Sequence, residues 1–214
     1  MTEASPIRVD IVSDVVCPWC VIGYRQLALA SEQTGIPVEV HWHPFELNTD
    51  MPPEGQNLRE HIAQKYGSTI EESEASRQRL TELGAELGFE FNYAADMRMV
   101  NTFRAHQLID WAATKGKAHE VKMALFASFF TDRRDVSQPD VLGDAAVAAG
   151  LDRDEALEVL RDERMAGDVR KKQQFWTGHG ISGVPAMVFS QQHLVTGAQG
   201  VENYGRILQH LAEA

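Results

Sequence analysis

Two cysteines carry the clearest chemistry in this sequence. Cys17 and Cys20 are its only cysteines, and Pro18 and Trp19 separate them. A Cys-x-x-Cys pair can close a small disulfide, and a thiolate at one cysteine can attack a disulfide in another molecule. In a helix, Cys20 would lie one turn after Cys17 on the same side. The spacing therefore predicts that Cys17 attacks a substrate disulfide and that Cys20 releases the substrate from the mixed disulfide.

The neighbouring segments place the pair between a strand and a helix. Apolar residues alternate with polar ones over 7–13, which predicts a strand, and helical spacing over 21–33 ends at a glycine. Cys17 then lies where unpaired N–H groups carry partial positive charge, so we expect its pKa to fall below the ordinary value of about 8.5. Pro18 suits the first helical turn, because it lacks the N–H that would be unpaired there. Trp19 is expected to present a flat apolar surface beside the sulfurs.

Structural and metal-binding roles are the alternatives for the cysteines. Buried cysteines can serve as small core residues, and a Cys-x-x-Cys can form half of a zinc site. Structural zinc takes four ligands, and the sequence has no second cysteine pair. His41 and His43 share one face of a predicted strand and could bind a metal, but the sequence shows no third ligand nearby. We therefore expect no bound metal or cofactor. The reactive group would be a redox-active disulfide between the two cysteines.

The rest of the chain predicts a divided α/β frame. Alternation over 38–44 indicates a second strand, which completes a β-α-β unit with parallel strands. Helical spacing dominates from Leu58 to Gly178. Two short strands and a helix are predicted to close the chain, over 185–189, 193–196 and 201–211. The expected organisation is a frame over about 6–48 and 179–214, with an all-helical insertion over about 49–178.

Composition and charge argue against several classes of partner. The 214 residues carry a formal net charge of −11 at pH 7, from 20 Lys and Arg against 31 Asp and Glu. This charge opposes binding to nucleic acid or to an anionic membrane. No apolar stretch approaches the roughly 20 residues of a transmembrane helix, and the first residues lack the pattern of a secretory signal. We expect a cytoplasmic protein, in which a permanent disulfide is unfavourable, and either a monomer or a homodimer.

Several motifs resemble a known family. The Cys17–Cys20 motif after a first strand, with Gly183-Val184-Pro185 before a late strand, resembles the thioredoxin superfamily and its DsbA-like members. Further motifs resemble the FrnE-type branch of thiol:disulfide oxidoreductases. They are Pro44-Phe45-Glu46-Leu47-Asn48, Met51-Pro52-Pro53-Glu54-Gly55, Asn101-Thr102 with Ala105-His106, and Thr196-Gly197-Ala198-Gln199. The resemblance spans nearly the whole chain, and it implies an α/β thioredoxin fold with a large all-helical insertion.

The resemblance also implies roles for residues outside the cysteine pair. Val184-Pro185 is expected to be a cis peptide bond packed against the cysteines, with the backbone of Val184 pairing with an extended substrate. His106 is expected on an inserted helix that faces the cysteines, in contact with substrate or in proton transfer. DsbA has a histidine where this chain has Trp19, so we expect a less depressed pKa at Cys17 and a less oxidising couple.

The function implied by the resemblance is thiol:disulfide exchange, as an oxidoreductase or isomerase. Its substrate would be a thiol- or disulfide-containing protein or small molecule, with glutathione as an optional co-substrate. One alternative is a glutathione-dependent isomerase or transferase related to 2-hydroxychromene-2-carboxylate isomerase and the kappa-class glutathione transferases, which typically have a serine at the position of Cys17. The other is a non-catalytic chaperone that binds peptides in a groove at Val184-Pro185.

Overall fold

The computed structural model describes residues 5–213, which divide into two compact units. The first unit runs to Leu47 and resumes at Lys171, and the second unit covers Asn48–Arg170. Residues 171–178, assigned above to the insertion, group with the first unit. The reason is local packing, because Trp176 contacts the cluster formed by Val12 and Ile181.

Six strands and nine helices are assigned within the described residues. The strands are β1 (Ile7–Ser13), β2 (Val38–Pro44), β3 (Gln56–Asn57), β4 (Arg98–Met99), β5 (Ala186–Phe189) and β6 (His193–Thr196). The helices are α1 (Pro18–Thr34), α2 (Leu58–Tyr66), α3 (Ile70–Glu86), α4 (Phe103–Ala113), α5 (Ala118–Phe126), α6 (Pro139–Ala148), α7 (Arg153–Asp162), α8 (Ala166–Gly178) and α9 (Val201–Ala212). A short π-helix, Ala127–Thr131, continues from α5.

The first unit is built on a four-stranded mixed sheet in the order β2-β1-β5-β6. β1 pairs with β2 in parallel and with β5 antiparallel, so Ile11 lies opposite both Trp42 and Met187. One face of the sheet packs against α1 and α9 in a core that includes Ile11, Leu27 and Leu208. This is the α/β thioredoxin-like fold expected from the sequence, and the second unit is its helical insertion.

Helix α1 begins and ends where local sequence requires. Cys17 is the N-cap residue in an extended conformation, and Pro18 occupies the first turn. Gly35 ends the helix in the left-handed conformation, with φ of 68°, and its N–H donates to the carbonyl of Glu32 at 3.3 Å. The helix therefore starts immediately after the first cysteine, as the sequence predicts.

The second unit has an aromatic core of its own. The ring of Phe130 makes edge contacts with Phe91 and Phe129, with centroid distances of 5.0 and 4.9 Å. The unit also contains a small antiparallel ladder between β3 and β4. In this detail the insertion differs from the all-helical insertion that the sequence predicted. Two-residue strands are too short to produce an alternating pattern in the sequence. No helix within residues 5–213 is both long and apolar enough to cross a membrane.

Candidate active site

The two cysteines lie at the junction of β1 and α1. Both are free thiols, and the backbone N–H of Cys20 donates to the carbonyl of Cys17 at 3.1 Å. Cys17 keeps 4% of its surface exposed, whereas Cys20 keeps none. Cys17 is therefore the cysteine that an incoming disulfide can reach first, and Cys20 lies behind it.

The loop that precedes β5 contacts the first cysteine. The Val184-Pro185 peptide bond is cis, which confirms the expectation from the family resemblance. The Cys17 thiol donates to the carbonyl oxygen of Val184, with an S–O distance of 3.7 Å. Val184 is half-buried and packs against the cluster that includes Val12 and Ile181. The site therefore joins the start of α1 to a loop 167 residues away in the chain.

A glycine in α1 allows the helix to approach this loop closely. A Cβ atom at Gly23 would lie 3.3 Å from Cγ of Pro185 and 3.2 Å from Cε of Met187. These distances are tighter than most real Cβ contacts, so a larger side chain would push the helix away from the proline. Sequence reasoning did not single out Gly23, because the contact joins segments far apart in the chain.

The loop between β6 and α9 holds the other side of Pro185. The N–H of Gly197 donates to the carbonyl of Pro185 at 2.8 Å, and the Tyr204 hydroxyl donates to the carbonyl of Gly197 at 3.0 Å. Burial raises the pKa of Tyr204 to about 12, so the hydroxyl stays protonated and remains a donor at neutral pH. The Gly197 motif noted in the sequence is thus part of the site, and Tyr204 is a supporting residue that the sequence analysis missed.

A buried carboxylate fixes the loop before Cys17. Asp14 accepts hydrogen bonds from the backbone N–H groups of Val15 and Leu47, both at 2.8 Å. Its own carbonyl accepts the N–H of Cys17 at 3.3 Å. Asp14 therefore ties the end of β1 to the segment that follows β2, and this sets the position of Cys17.

The ionisation of Cys17 differs from the prediction. A hydrogen bond with the Cys20 sulfur raises the pKa of Cys17 well above its ordinary value, and burial and the charge of Asp14 act in the same direction. The backbone N–H of Cys20 lowers the pKa, as expected at a helix N-terminus, but this effect is smaller. The prediction of a lowered pKa is therefore wrong for the reduced pair. The sequence shows that Cys17 lies at a helix N-terminus. It does not show how deeply Cys17 is buried or that the Cys20 sulfur contacts it.

The other predicted site residues fall into two groups. Pro18 is half-buried and Trp19 is 38% exposed, so both accompany the cysteines in the first turn of α1. His106 belongs to the second unit, where it is buried in α4. Of the predicted residues, the first unit thus brings together the cysteines, the two residues between them, and Val184 with Pro185.

The histidines of β2 make carboxylate contacts. Nε2 of His43 lies 2.7 Å from Oδ1 of Asp10, and Nε2 of His41 lies 2.9 Å from Oε1 of Glu39. Across residues 5–213, no group of three or more His, Cys, Asp and Glu side chains is placed to hold a metal ion.

Comparison with protein families agrees with this geometry. The model of the DSBA-like thioredoxin domain matches residues 8–209. The chain belongs to this family. A probable DsbA oxidoreductase from Streptomyces coelicolor has 30% identity to this DsbA-like chain and a TM-score of 0.87, over 95% of this chain and 89% of its own.

Two further similarities place the DsbA-like chain among its relatives. The uncharacterized protein YwbO of Bacillus subtilis is 26% identical over 204 residues, which cover 94% of this chain and 96% of YwbO. A 2-hydroxychromene-2-carboxylate isomerase has a TM-score of 0.68 at 12% identity, over 96% of this chain and 98% of its own, which shows a shared fold alone. The chain thus combines membership of the DSBA-like family with the Cys17–Cys20 pair, which is the combination expected of a DsbA-like oxidoreductase.

Proposed function

We propose that this protein is a thiol:disulfide oxidoreductase or isomerase that works through Cys17 and Cys20. One observation carries the proposal. The thiol of Cys17, at the N-cap of α1, lies 3.7 Å from the Val184 carbonyl beside Pro185, and the fully buried Cys20 lies one turn behind it. A first sulfur on a residue that keeps a little exposed surface, with a fully buried second sulfur behind it, suits attack followed by release.

The proposed reaction has two exchange steps. Cys17 loses its proton as substrate docks, and its thiolate attacks one sulfur of the substrate disulfide. This forms a mixed disulfide and releases the other substrate sulfur as a thiolate, which takes up a proton. Cys20 then loses its proton, and its thiolate attacks the Cys17 sulfur, breaks the mixed disulfide and closes the Cys17–Cys20 disulfide; the second substrate sulfur leaves as a thiolate and takes up a proton. Two electrons pass from the cysteine pair to the substrate, and the reverse sequence oxidises a dithiol.

Residues around the sulfurs would hold the substrate. The backbone of Val184 would pair with an extended segment, since Pro185 has no N–H to offer. The exposed Trp19, with Pro18, would provide an apolar contact beside the sulfurs. His106, carried over from the family resemblance, would contact substrate or transfer a proton.

The raised pKa of Cys17 supports the reducing or isomerising direction. A couple is strongly oxidising when its reduced form is stabilised as a thiolate. Here the second sulfur and burial favour the protonated thiol instead. We therefore infer that the Cys17–Cys20 couple is only mildly oxidising. The motifs described in the sequence place the enzyme in the FrnE-type branch by resemblance, and we propose that it acts in the cytoplasm as a monomer or homodimer. Its substrate would be a thiol- or disulfide-containing protein or small molecule, with glutathione as co-substrate.

Paired cysteine variants test the proposal. Wild type should accelerate the reduction of insulin by dithiothreitol and the refolding of scrambled ribonuclease, and Cys17→Ser should abolish both. Cys20→Ser should instead accumulate a mixed disulfide with insulin, which mass spectrometry detects. Equal trapping by the two variants would contradict the assigned order of attack.

Two other outcomes would replace the proposal. Glutathione-dependent isomerisation of a chromene carboxylate, without activity in the exchange assays, would identify the isomerase class. Suppression of aggregation that persists in Cys17→Ser, again without exchange by wild type, would identify a chaperone that binds peptides at Val184. Both assays use the same preparations, so one set of proteins separates the three functions.

A further inference from the structure

The sheet of the first unit has a groove on the face opposite α1 and α9. Val9 and Ile11 of β1 point into the core beneath those helices, so Arg8 and Asp10 face the other way. The second half of α8 forms one wall of this space, and its volume is about 780 Å³. We call it the far-face groove. A space of this size is typical of sites for small molecules.

A row of four rings lines the far-face groove. The ring centroid of His43 in β2 lies 4.7 Å from that of Trp176, which lies 5.2 Å from that of Phe175. The ring of Phe175 in turn lies 4.2 Å from that of His179. Phe175 is 54% exposed, and Leu194, which also lines the groove, is 50% exposed. Exposed rings and apolar side chains beside a concave surface indicate a binding site for a flat apolar molecule.

A buried carboxylate fixes the tautomer of the first ring in the row. Asp10 is 2% exposed and accepts two hydrogen bonds from Arg8. Burial opposes its ionisation, but the hydrogen bonds from Arg8 and His43 lower the pKa of Asp10 overall. Nε2 of His43 lies 2.7 Å from Oδ1 of this carboxylate, which can only accept, so Nε2 carries the proton and donates it.

The other ring nitrogen of His43 is open to a ligand. Burial lowers the pKa of His43 below its ordinary value of 6.5, so the ring is neutral at pH 7.5 and Nδ1 has a lone pair. Within residues 5–213 no group bonds to Nδ1, and it is not one of the buried polar atoms that lack a partner. Nδ1 is therefore reached by solvent in a residue that lines the groove. Because the His43 side chain is only 19% exposed, a hydrogen bond accepted there is partly shielded from water.

The charged residues that line the groove are engaged within the protein. Among the described lining residues, Arg8 and Asp10 form an ion pair at 2.7 Å, and Lys171 and Lys172 each have interaction partners. A charged ligand would have to compete with these partners. An uncharged ligand that donates a hydrogen bond matches the rings and the open acceptor without such competition.

From this combination we propose that the far-face groove binds an uncharged phenol, a flat aromatic ring system whose hydroxyl donates a hydrogen bond to Nδ1 of His43. The rings of the ligand would lie against Trp176 and Phe175, with Leu194 as a further apolar contact. Among the described residues, neither cysteine nor Pro185 lines this groove, so the site is additional to the exchange site. The proposal does not depend on the exchange reaction.

Two probes that differ in one O–H test the proposal. They are 2-naphthol and 2-methoxynaphthalene, which share their ring system, and equilibrium dialysis at pH 7.5 measures their affinities from probe fluorescence. Wild type should bind 2-naphthol at one saturable site. Phe175→Ala should weaken both probes about fivefold, because it removes apolar contact that both use. Non-saturable binding of 2-naphthol, or unchanged affinities in Phe175→Ala, would overturn the proposal.

The ratio of the two affinities isolates the hydroxyl group. His43→Phe keeps a ring at this position but removes the acceptor, so the preference for 2-naphthol over the ether should fall about fivefold, the effect of one hydrogen bond. His179→Phe makes the same replacement at the other end of the row of rings and is the matched control, in which the ratio should stay unchanged. A ratio that is unchanged in His43→Phe, or that falls equally in both variants, would contradict the assigned contact.

NMR on the unaltered protein provides a second readout that does not require a variant to fold. In a ¹⁵N spectrum of the histidine side chains, saturating 2-naphthol should move the Nδ1 resonance of His43, because that nitrogen gains a hydrogen bond. The ether has no O–H and should not produce this shift, and Nε2 of His179 should respond to neither probe. The same Nδ1 shift with both probes, or with neither at saturation, would overturn the proposal.

Discussion

At the scale of single residues, the reactivity of Cys17 depends on opposing effects within one turn of helix. The N-terminal N–H groups of α1 favour a thiolate, while the Cys20 sulfur and burial favour the thiol. The Cys20 contact is the largest of these effects. Substrate docking must therefore supply part of the stabilisation that the free, reduced site lacks. The same balance makes the reactivity of Cys17 sensitive to a change at one neighbouring atom.

Replacement of Cys20 should make Cys17 more reactive near neutral pH. Cys20→Ala removes the sulfur that raises the pKa of Cys17, so that pKa should fall. The measurement is the rate of iodoacetamide alkylation as a function of pH, and the midpoint of the profile should move to lower pH. At pH 7 the variant should react at least about threefold faster than wild type, because more of the thiol is ionised. Cys17→Ala is the control, since its fully buried Cys20 should react slowly.

His43 should make the stability of the protein depend on pH. Burial lowers its pKa from an ordinary value of 6.5, so below that pH the unfolded chain takes up a proton that the folded protein does not. The buried, neutral His43 therefore favours folding above about pH 6.5, and this contribution is lost as the pH falls from 6.5 through the lowered pKa of His43. Urea unfolding of wild type should therefore show a steeper loss of stability from pH 7.5 to 5.5 than unfolding of His43→Gln. Parallel profiles for the two proteins would contradict the assignment.

At the scale of secondary-structure elements, close contacts at glycines decide how helices pack. A Cβ atom at Gly84 in α3 would lie 2.6 Å from the carbonyl oxygen of Phe89 and 2.7 Å from Cε2 of Phe91. Backbone atoms cannot move aside without disturbing the turn that follows the helix, so Gly84→Ala should destabilise the protein by about 2 kcal/mol.

Gly205→Ala in α9 is the control. Its Cβ would lie an ordinary 3.6 Å from Thr34, so it should stabilise by about 0.5 kcal/mol through helix propensity. Denaturant unfolding measures both, and changes of the same sign would refute the packing argument.

Local patterns predicted the elements that frame the site, but not the contacts among them. Alternation identified β1 and β2, and Gly35 marked the end of α1, because these signals lie within a few residues of one another. The fold and the cis bond at Pro185 came from the resemblance. The support from Tyr204 and the close approach at Gly23 join distant segments, so no local pattern contains them. The raised pKa of Cys17 was missed for a related reason, since burial is a property of the folded molecule.

At the scale of the whole molecule, the two units differ in how the chain builds them. The first unit is discontinuous, because β1 needs β5 from beyond Lys171, and α1 packs against α9 from the same segment. The second unit is one continuous stretch, Asn48–Arg170. Contacts within a continuous stretch can form without closing a long loop, whereas those of the first unit require one.

This difference predicts how fragments of the chain behave. The fragment 48–170 contains the complete Phe91, Phe129 and Phe130 cluster, so it should be helical by circular dichroism and unfold cooperatively with temperature. The fragment 1–47 contains β1, α1 and β2 but lacks the strand and helix that cover them, and it should remain unfolded. Mixing 1–47 with 171–214 should restore sheet signal, since together they contain every strand of the four-stranded sheet. A 48–170 fragment that melts without cooperativity would show that its helices depend on the first unit, and the division into two units would then not extend to folding.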